Sequence, residues 1–367
     1  MNVLINGSAY NSNPSGIGIY IREVCHTLHT QRDKEINFTF ISFLARPTID
    51  MPSLTIRPHP LLFILCLRKI ELYRFFWNLF ILPGLAKNYD LVYSPSTHGT
   101  ILSSRQVITV HDLISLHYPS QYLLQYLYFR WYVPALLKKA KKIVCISDFT
   151  KNDVLTYYKV PADKLVVIHN GVDHSVTYQS GNTEDFEHLK SNYGFKAYCL
   201  VVGASFPHKN LETLVELYHE NKIALDLLVV GTVNAYLHKV RQKVAALGIP
   251  NIHFLGYVGD DTLQVLYKNA EFNIYISLYE GFGFPPLEAL RWGTPSIVSI
   301  KGAIPEICGP TALYVDPLDK NELYRIMLRL TGNRTLREEL VAHIPDHLNH
   351  FKWVYFARDL SEVLRRL

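Results

Sequence analysis

Apolar residues fall along this chain in short runs bounded by Gly, Pro, Asn or Asp, alternating with stretches where they recur every three or four positions. The chain opens on the run NVLING, passes the polar loop AYNSNPSGIGIY and enters the helical stretch IREVCHTLHT, which is the strand, loop, helix order of a mononucleotide-binding unit. Strand-like runs INFTFISFL, DLVYSP, QVITVHD, KIVCIS and LVVIHNG follow, separated by helical or loop segments as a parallel sheet requires. From His174 to Asn192 the chain turns polar, and the domain boundary is placed there. A second series starts with AYCLVVG and the helix NLETLVELYHE. It continues through LDLLVVG, NAYLHKVRQKVAALG, NIHFLGY and DTLQVLYKNA to FNIYIS. The pattern predicts an α/β protein of two wound sheets facing each other, in domains 1–175 and 185–352. A final amphipathic helix is predicted over 353–367, WVYFARDLSEVLRRL, which taken alone reads as a surface element of the second domain.

At 367 residues the chain can bury a core in each of two domains of ordinary size. Its 49% hydrophobic and 19% charged residues argue against disorder. The five cysteines, Cys25, Cys66, Cys145, Cys199 and Cys308, are scattered and odd in number, without the spacing of a zinc site or disulfide frame, which fits a reducing compartment. MNVLING leads into a polar loop rather than a long apolar segment, so no secretory signal is read and a cytoplasmic location is expected. The tract LLFILCL is short and soon broken by Arg68, Lys69, Glu71 and Arg74, which excludes a spanning helix. Charge is unequal: residues 1–175 hold 18 Lys and Arg against 11 Asp and Glu, residues 176–367 hold 19 against 21, and +7 and −2 sum to the overall +5.

The densest candidate chemistry is EGFGFPPLEALR, from Glu280 to Arg291. Pro285 and Pro286 fit the first turn of a helix, where a missing N–H costs nothing, and Gly293 is a natural stop. Glu280 then precedes the helix and Glu288 lies on it. The amides of Phe282, Gly283 and Phe284, at the positive helix end, suit a phosphate. Carboxylates on either side of an anion do not attract it, so their partners would be hydroxyls, as on a sugar and a ribose. Taken alone, the pair reads as a dipole complement and a solvated loop charge.

This segment closely resembles the signature of retaining glycosyltransferases of family 4. So does its continuation GTPSIVSIKGAIPEICGPTALYVDP, and the likeness extends through most of the chain. The resemblance implies the GT-B fold: two Rossmann-like, doubly wound parallel-sheet domains with an interdomain cleft. It also implies an acceptor-binding N-terminal domain, a nucleotide-sugar-binding C-terminal domain, and a last helix returning to the N-terminal domain. The loop GASFPHKN matches the family's Gly, Pro, basic residue, Lys, Asn pattern, which implies that Lys209 offsets charge on a departing phosphate, with Ser205 and His208 at the donor. Without that match, Lys209 would read as a solvated loop charge. Many members carry an Arg directly after the glycine or before the lysine, where this chain has Ala204 and His208. Either His208 supplies a weaker, pH-dependent second donor, or neutralisation relies on Lys209 and backbone amides.

His111 and Asp112 end QVITV at the carboxyl edge where ligands of wound sheets bind, and resemble the family's His-Asp motif that contacts the donor sugar or its phosphate. Gly16 and Gly18, in the loop PSGIGIY, would let backbone approach the donor phosphate or the acceptor. They lack the third glycine and later acid of a dinucleotide fingerprint, which disfavours a dehydrogenase. Asn170 and Gly171 resemble the family's hinge sequence, with a positive-φ turn as the competing reading. Tyr257 and Val258 fall where relatives grip the base. No Asp-x-Asp triplet stands in place for a metal, and Asp260 with Asp261 reads as a helix N-cap, so no metal and no cofactor beyond the nucleotide-sugar co-substrate is expected.

These residues point to retaining hexosyl transfer from a nucleotide-diphosphate sugar to a glycan acceptor, with His111, Lys209 and Glu280 catalytic and Glu288 on the ribose. The PHKN and FGFPPLEAL versions lean towards bacterial enzymes of surface polysaccharide and O-antigen assembly, often using GDP-mannose, with UDP-sugars and dTDP-rhamnose open. RKIELYRFFWNLFILPG and YLLQYLYFRWYVPALLKKAKK interleave bases with large apolar residues. Each alone reads as a core-facing helix with a solvated charged face. Together with the +7 they suggest peripheral contact with an anionic inner membrane face and a lipid-linked acceptor. The competing classes are a nucleotide-sugar 2-epimerase or phosphorylase on the same architecture, and a non-catalytic, membrane-associated sugar-nucleotide-binding protein. Nucleic-acid binding is disfavoured, as no basic face carries a recognised motif.

Overall fold

The computed structural model describes residues 1–10, 16–31, 33–42, 51–55, 69–172 and 183–367. The tract 61–67 with Cys66, the loop residues 11–15 and most of the polar boundary stretch, 174–182, lie outside the described residues. The chain divides into two compact units, Met1–Ser175 with Phe351–Leu367, and Val176–His350. The four described cysteines are free and buried.

Among the described residues, the first unit holds seven parallel strands: β1 (Asn2–Asn6), β2 (Asn37–Ser42), β3 (Ser53–Thr55), β4 (Leu91–Ser94), β5 (Gln106–Val110), β6 (Lys142–Cys145) and β7 (Leu165–Val167), ordered 3-2-1-4-5-6-7. The second holds six: β8 (Tyr198–Val202), β9 (Asp226–Val230), β10 (Ile252–Gly256), β11 (Phe272–Tyr275), β12 (Ser296–Ser299) and β13 (Ala312–Val315), ordered 10-9-8-11-12-13. Both sheets are doubly wound, as the apolar runs predict. Strands such as β5 and β9 are apolar nearly throughout because helices cover both faces. In each sheet the winding reverses once, between β1 and β4 and between β8 and β11. Such a reversal parts the flanking loops and leaves a crevice at the strands' carboxyl ends. The strands β3, β12 and β13 are additions to the sequence reading.

The final helix, Trp353–Arg365, belongs to the first unit. Trp353, Phe356, Ala357, Leu360 and Leu364 form one buried stripe, and Tyr20 meets the rings of Trp353 and Phe356 edge-on at 5.7 and 5.5 Å. Burying each large side chain of that stripe is worth about 1.5–3 kcal/mol; the helix lies with the first unit, as the family resemblance implied and as periodicity alone did not.

The two basic-aromatic stretches form helices of one design. Ile70–Phe76 passes through a widened π turn, Trp77–Ile81, into Leu82–Ala86; Leu123–Leu127 passes through Tyr128–Tyr132 into Val133–Lys139. Pro83 and Pro134 explain both: a proline has no N–H and crowds the carbonyl one turn back, so the turn before it opens. In the first, the Asn78 side-chain amide donates to Arg74 O at 2.8 Å, supplying a partner within the opened turn.

Gly171 lies against the start of the last helix. A Cβ there would stand 2.2 Å from Trp353 N and 2.6 Å from its Cγ, while Val172 N donates to Phe351 O at 2.9 Å. Its φ is not positive, so close approach rather than a left-handed turn requires the glycine. Gly171→Ala is expected to cost about 1–3 kcal/mol, read as a lower urea midpoint at unchanged slope. Gly332→Ala, whose added methyl meets nothing within 4 Å, is the control expected to lose nothing. Equal midpoints for the two variants would mean that the last helix is not clamped at Gly171.

Candidate functional site

The second unit's candidate residues stand at the exits of β8 and β11, its two strands at the reversal. After β8 the loop closes in a short 3₁₀ turn, Pro207–Lys209, stopped by Asn210 in the left-handed conformation at φ 62°. The Asn210 amide donates to Pro317 O and its oxygen accepts from Thr213 Oγ1, both at 2.7 Å. Lys209 is thereby aimed at the β11 exit, where Nζ donates to Glu280 Oε1 at 2.6 Å and to Tyr275 Oη at 2.9 Å. Leu278 N donates to His208 O at 2.7 Å, joining the two loops directly. Glu280 is held from behind as well. A Cβ on Gly302 would lie 2.7 Å from both its N and its O, and Ala303 N donates to that oxygen at 2.9 Å.

Burial works against ionisation of Glu280, but the Lys209 ammonium, His208 and the Ser277 hydroxyl together outweigh it and hold the carboxyl below its ordinary value. Tyr275 is pushed well up by burial and by the Glu280 charge, so it stays a neutral phenol. Burial also takes His208 down to about 4 despite the pull of Glu280. The ring is stacked on Phe206 at 5.8 Å and uncharged at neutral pH, so it is not the pH-dependent cation that its place beside Lys209 suggested.

Gly283, at φ 111°, caps the helix Phe284–Arg291, which ends at Trp292 and Gly293. Gly293 N donates to Leu290 O at 2.9 Å and Thr294 N to Ala289 O at 3.0 Å, the stop expected of this sequence. Because Pro285 and Pro286 carry no N–H, the first three helical positions offer only the Phe284 amide. Phe282 is buried with its ring tilted against Phe284 at 5.1 Å. Glu288 lies one turn further along, half-buried, and accepts from Tyr267 Oη at 3.2 Å. Ser205 Oγ donates to Thr232 O at 2.9 Å, fastening the β8 loop to the loop after β9. Tyr257 is 77% exposed at the β10 exit, with Val258 half-buried beside it. Asp260 and Asp261 occupy the first helical turn behind an N-cap at Gly259, so they complement the helix dipole and the N-cap reading is corrected.

In the first unit, His111 follows β5, and its Nε2 lies 2.9 Å from Pro95 O. A carbonyl only accepts, so Nε2 carries the proton and Nδ1 presents a lone pair. Burial lowers the ring to about 4 against that hydrogen bond. At neutral pH it is an uncharged acceptor, suited to a hydroxyl and unsuited to a phosphate. Asp112 Oδ1 accepts from Ile114 N at 3.0 Å, within the turn that follows. Gly16 and Gly18 do not lie in a loop: Gly16 opens the helix Gly16–Gln31 and Gly18 is buried in its first turn. Asn170 is fully buried, and among the described residues neither polar atom of its side chain has a hydrogen-bond partner.

Several contributors were not singled out from the sequence: Tyr275, Tyr267, Gly302, and a polar cluster of Asn6, Arg74, Asn78 and His98. Gly302 stood in the quoted KGAIPE segment, and Arg74 and Asn78 are one helical turn apart in a stretch noted only for its basic and aromatic mix.

Comparison with known proteins adds the family. Residues 14–176 match Glycosyltransferase Family 4, and residues 184–346 match Glycosyl transferases group 1. The chain carries the paired domains of a glycosyltransferase. It is 34% identical over 227 residues to the O-antigen chain mannosyltransferase RfbU of Salmonella typhimurium, covering 61% of each chain. It is 26% identical over 285 residues to the serotype-specific mannosyltransferase WbdA of Escherichia coli, covering 75% of this chain and 35% of that one. The matches thus span less than two thirds of either relative. HepE from Anabaena, solved with UDP and glucose, shares the fold along the full length of both chains, with a TM-score of 0.77 at 17% identity. The fold is therefore GT-B. No described helix is long and apolar enough to cross a membrane.

The buried rings predict how stability depends on pH. Unfolded, His111 and His208 take a proton near 6.5; folded, they do so only near 4. The unfolded chain therefore binds more protons between those values, and stability rises with pH across that window. Glu280, with its depressed carboxyl, adds a loss in the same direction as pH falls through its folded pKa. The melting temperature is expected to be level above about pH 7 and to fall steadily from about 6.5 towards 4. A level melting temperature down to pH 4.5 would contradict it.

Proposed function

We propose that this chain transfers a hexose from a nucleoside-diphosphate sugar to a glycan acceptor with retention of configuration, and that GDP-mannose is the favoured donor. The observation carrying the proposal is the Lys209–Glu280 pair beside the Phe284 helix, at the β8/β11 reversal of a chain with glycosyltransferase domains. The ammonium has three hydrogens and spends two on Glu280 and Tyr275, so one remains for a phosphate oxygen. Glu280 Oε2 and Glu288 are assigned to sugar and ribose hydroxyls. As the anomeric bond breaks, Lys209 and the amides near Gly283 and Phe284 offset charge gathering on the departing diphosphate. His111 Nδ1, in the first unit, is assigned as an acceptor for a sugar hydroxyl. Retention rests on the family resemblance, and the mannosyl preference on RfbU and WbdA, both named mannosyltransferases.

The acceptor is assigned as a lipid-linked glycan. Between Asp112 and Asp148 the chain has no acidic residue but holds Arg130, Lys138, Lys139, Lys141 and Lys142. On that stretch Leu123, Leu124, Leu127 and Trp131 are exposed, Leu124 by 81% and Trp131 by 71%. An anionic bilayer complements such a surface.

Thermal-shift titration with GDP, UDP and dTDP should single out one nucleotide, and the matching sugar donor should then support transfer. With it, Lys209→Ala is expected to lose about 10²-fold in turnover. Unchanged turnover would remove Lys209 from the chemistry, and no stabilisation by any nucleoside diphosphate would overturn the donor reading. Sedimentation should bring down the chain with anionic vesicles more than with neutral ones, and Leu124→Asp with Trp131→Ala should abolish the difference; equal sedimentation of the unmodified chain would defeat the membrane assignment.

A further inference from the structure

We infer that Tyr20 is a positioning residue for His111, through which the last helix and β5 together set the plane of the imidazole. The inference deepens the glycosyl-transfer reading, on which its activity measurements rest, and adds a residue that acts on the reaction only through another.

All of the groups involved belong to the first unit. His111 leaves β5, and two bonds hold it there: Nε2 donates to Pro95 O at 2.9 Å, and the His111 carbonyl accepts from Thr150 Oγ1 at 3.3 Å. Together they fix the backbone and one ring atom. They do not fix the ring's plane, because an imidazole can tilt about a single hydrogen bond. The direction of the Nδ1 lone pair follows that plane, so an acceptor role for Nδ1 needs a second constraint. Tyr20 supplies it. Its ring stands at 90° to the imidazole with centroids 4.6 Å apart, the edge-to-face arrangement that aromatic quadrupoles favour.

Tyr20 can act as a stop only if it is itself held, and it is held at both ends. It is fully buried on the helix Gly16–Gln31. Its hydroxyl lies 2.8 Å from Tyr93 Oη and 3.4 Å from Thr109 Oγ1, and those two lie 2.9 Å from each other, so the buried hydroxyls close a triangle of hydrogen bonds. Thr109 stands two residues before His111 on β5, and Tyr93 lies on the adjacent β4. The strand that delivers the imidazole therefore also anchors the side chain that packs on it. Burial pushes both phenols well above their ordinary values, so the triangle stays uncharged. From the other side the last helix closes the cage: Trp353 and Phe356 meet the Tyr20 ring at 5.7 and 5.5 Å and each other at 5.6 Å.

A phenylalanine would fill the same volume, and packing alone asks for nothing more. A phenol brings a buried hydroxyl that must find partners, and here it finds them on the strand that ends at His111. Without the ring, a cavity would open beside the imidazole, which could then tilt and take up water. Burial keeps His111 near 4, so its proton affinity reports whether Tyr20 still covers it. The other imidazole coupled to it, His98, is itself held near 3 by burial and adds no charge at neutral pH.

The test reads the ring first and turnover second. In the full chain the His111 signal is followed by NMR while pH is lowered, with His111→Gln identifying it. It is expected to titrate near 4 in the unmodified chain and in Tyr20→Phe, and to move up towards the ordinary 6.5 in Tyr20→Leu. With the donor that supports transfer, Tyr20→Leu is expected to lose about tenfold or more in kcat while the donor KM stays within about twofold, and Tyr20→Phe to recover most of the loss. Leu28→Ala, which opens a cavity on the same buried helix face further from His111 in sequence, is the stability control and should keep its kcat. In a His111→Gln background Tyr20→Leu should cost nothing more, because a residue acting through His111 has nothing left to position. Should Tyr20→Leu fail to fold, Tyr20→Met is measured in its place. A Tyr20→Leu ring that still titrates near 4, an equal kcat loss in Leu28→Ala, or additive losses in the double variant would each overturn the role while leaving the glycosyl-transfer reading standing. Full turnover in His111→Gln, or no transfer from any donor, would defeat that reading of the site and the role with it.

Discussion

An ammonium and a carboxylate held 2.6 Å apart at the edge of the second sheet form the interaction on which the site in that unit turns. Either charge alone, with its side chain only 16% or 13% exposed, would face a desolvation cost of several kcal/mol. Paired, they are tolerated, and the pairing fixes both. Tyr275 takes a second ammonium hydrogen and stays neutral because its neighbour is negative. What remains on the ammonium is one N–H, a donor oriented beside the carboxylate before any ligand arrives. A donor of that kind suits a phosphate oxygen, and its alignment comes from pairing opposite charges rather than concentrating like ones.

The pair works as a fixture because both of its loops leave adjacent strands. β8 and β11 are hydrogen-bonded neighbours, so Lys209 and Glu280 leave the same stretch of sheet edge although 71 residues separate them. The His208 to Leu278 backbone bond and the packing of Gly302 on Glu280 then remove the freedom that two loops would otherwise keep. The first unit solves its own reversal differently. There Asn6, Asn78, Ser8 and Ser94 satisfy one another, and Arg74 is anchored through Nε on Ser8 O. One crevice is held by an ion pair and the other by neutral side chains around a backbone-anchored guanidinium, a difference of local chemistry on two sheets of the same winding.

How far the sequence could be read follows from the range of the interactions. Strands buried on both faces announce themselves as apolar runs, so the winding of both sheets was legible, whereas β12 and β13 lay in a segment whose turn residues drew attention first. The helix after Gly283 was legible because Pro285, Pro286 and Gly293 act locally through missing N–H groups and permitted φ values. Membership of the last helix was legible through the family resemblance but not through periodicity, since its stripe says only that something covers it; the cover is Tyr20, more than three hundred residues earlier. Tyr275 and Gly302 were invisible for the same reason, because each matters through one contact across the fold. Gly16 and Gly18 misled: glycine permits a loop but does not forbid a helix whose other residues, Tyr20, Ile21 and Val24, bury a face.

The place of His208 brings these threads together. Where the family resemblance implied an arginine, this chain has a buried ring near 4, stacked on Phe206 and contributing no charge at neutral pH. Its contribution is made instead by its carbonyl, which accepts from Leu278 N and locks the lysine loop to the glutamate loop. A second cation at that position would also have competed for Glu280 and loosened its pairing with Lys209. Losing that charge therefore exchanges strength of anion attraction for definition of geometry. On the glycosyl-transfer reading the burden of leaving-group stabilisation falls on a single ammonium and a few backbone amides, which makes the alignment of Lys209, rather than the number of positive charges around it, the quantity that the surrounding structure has to protect.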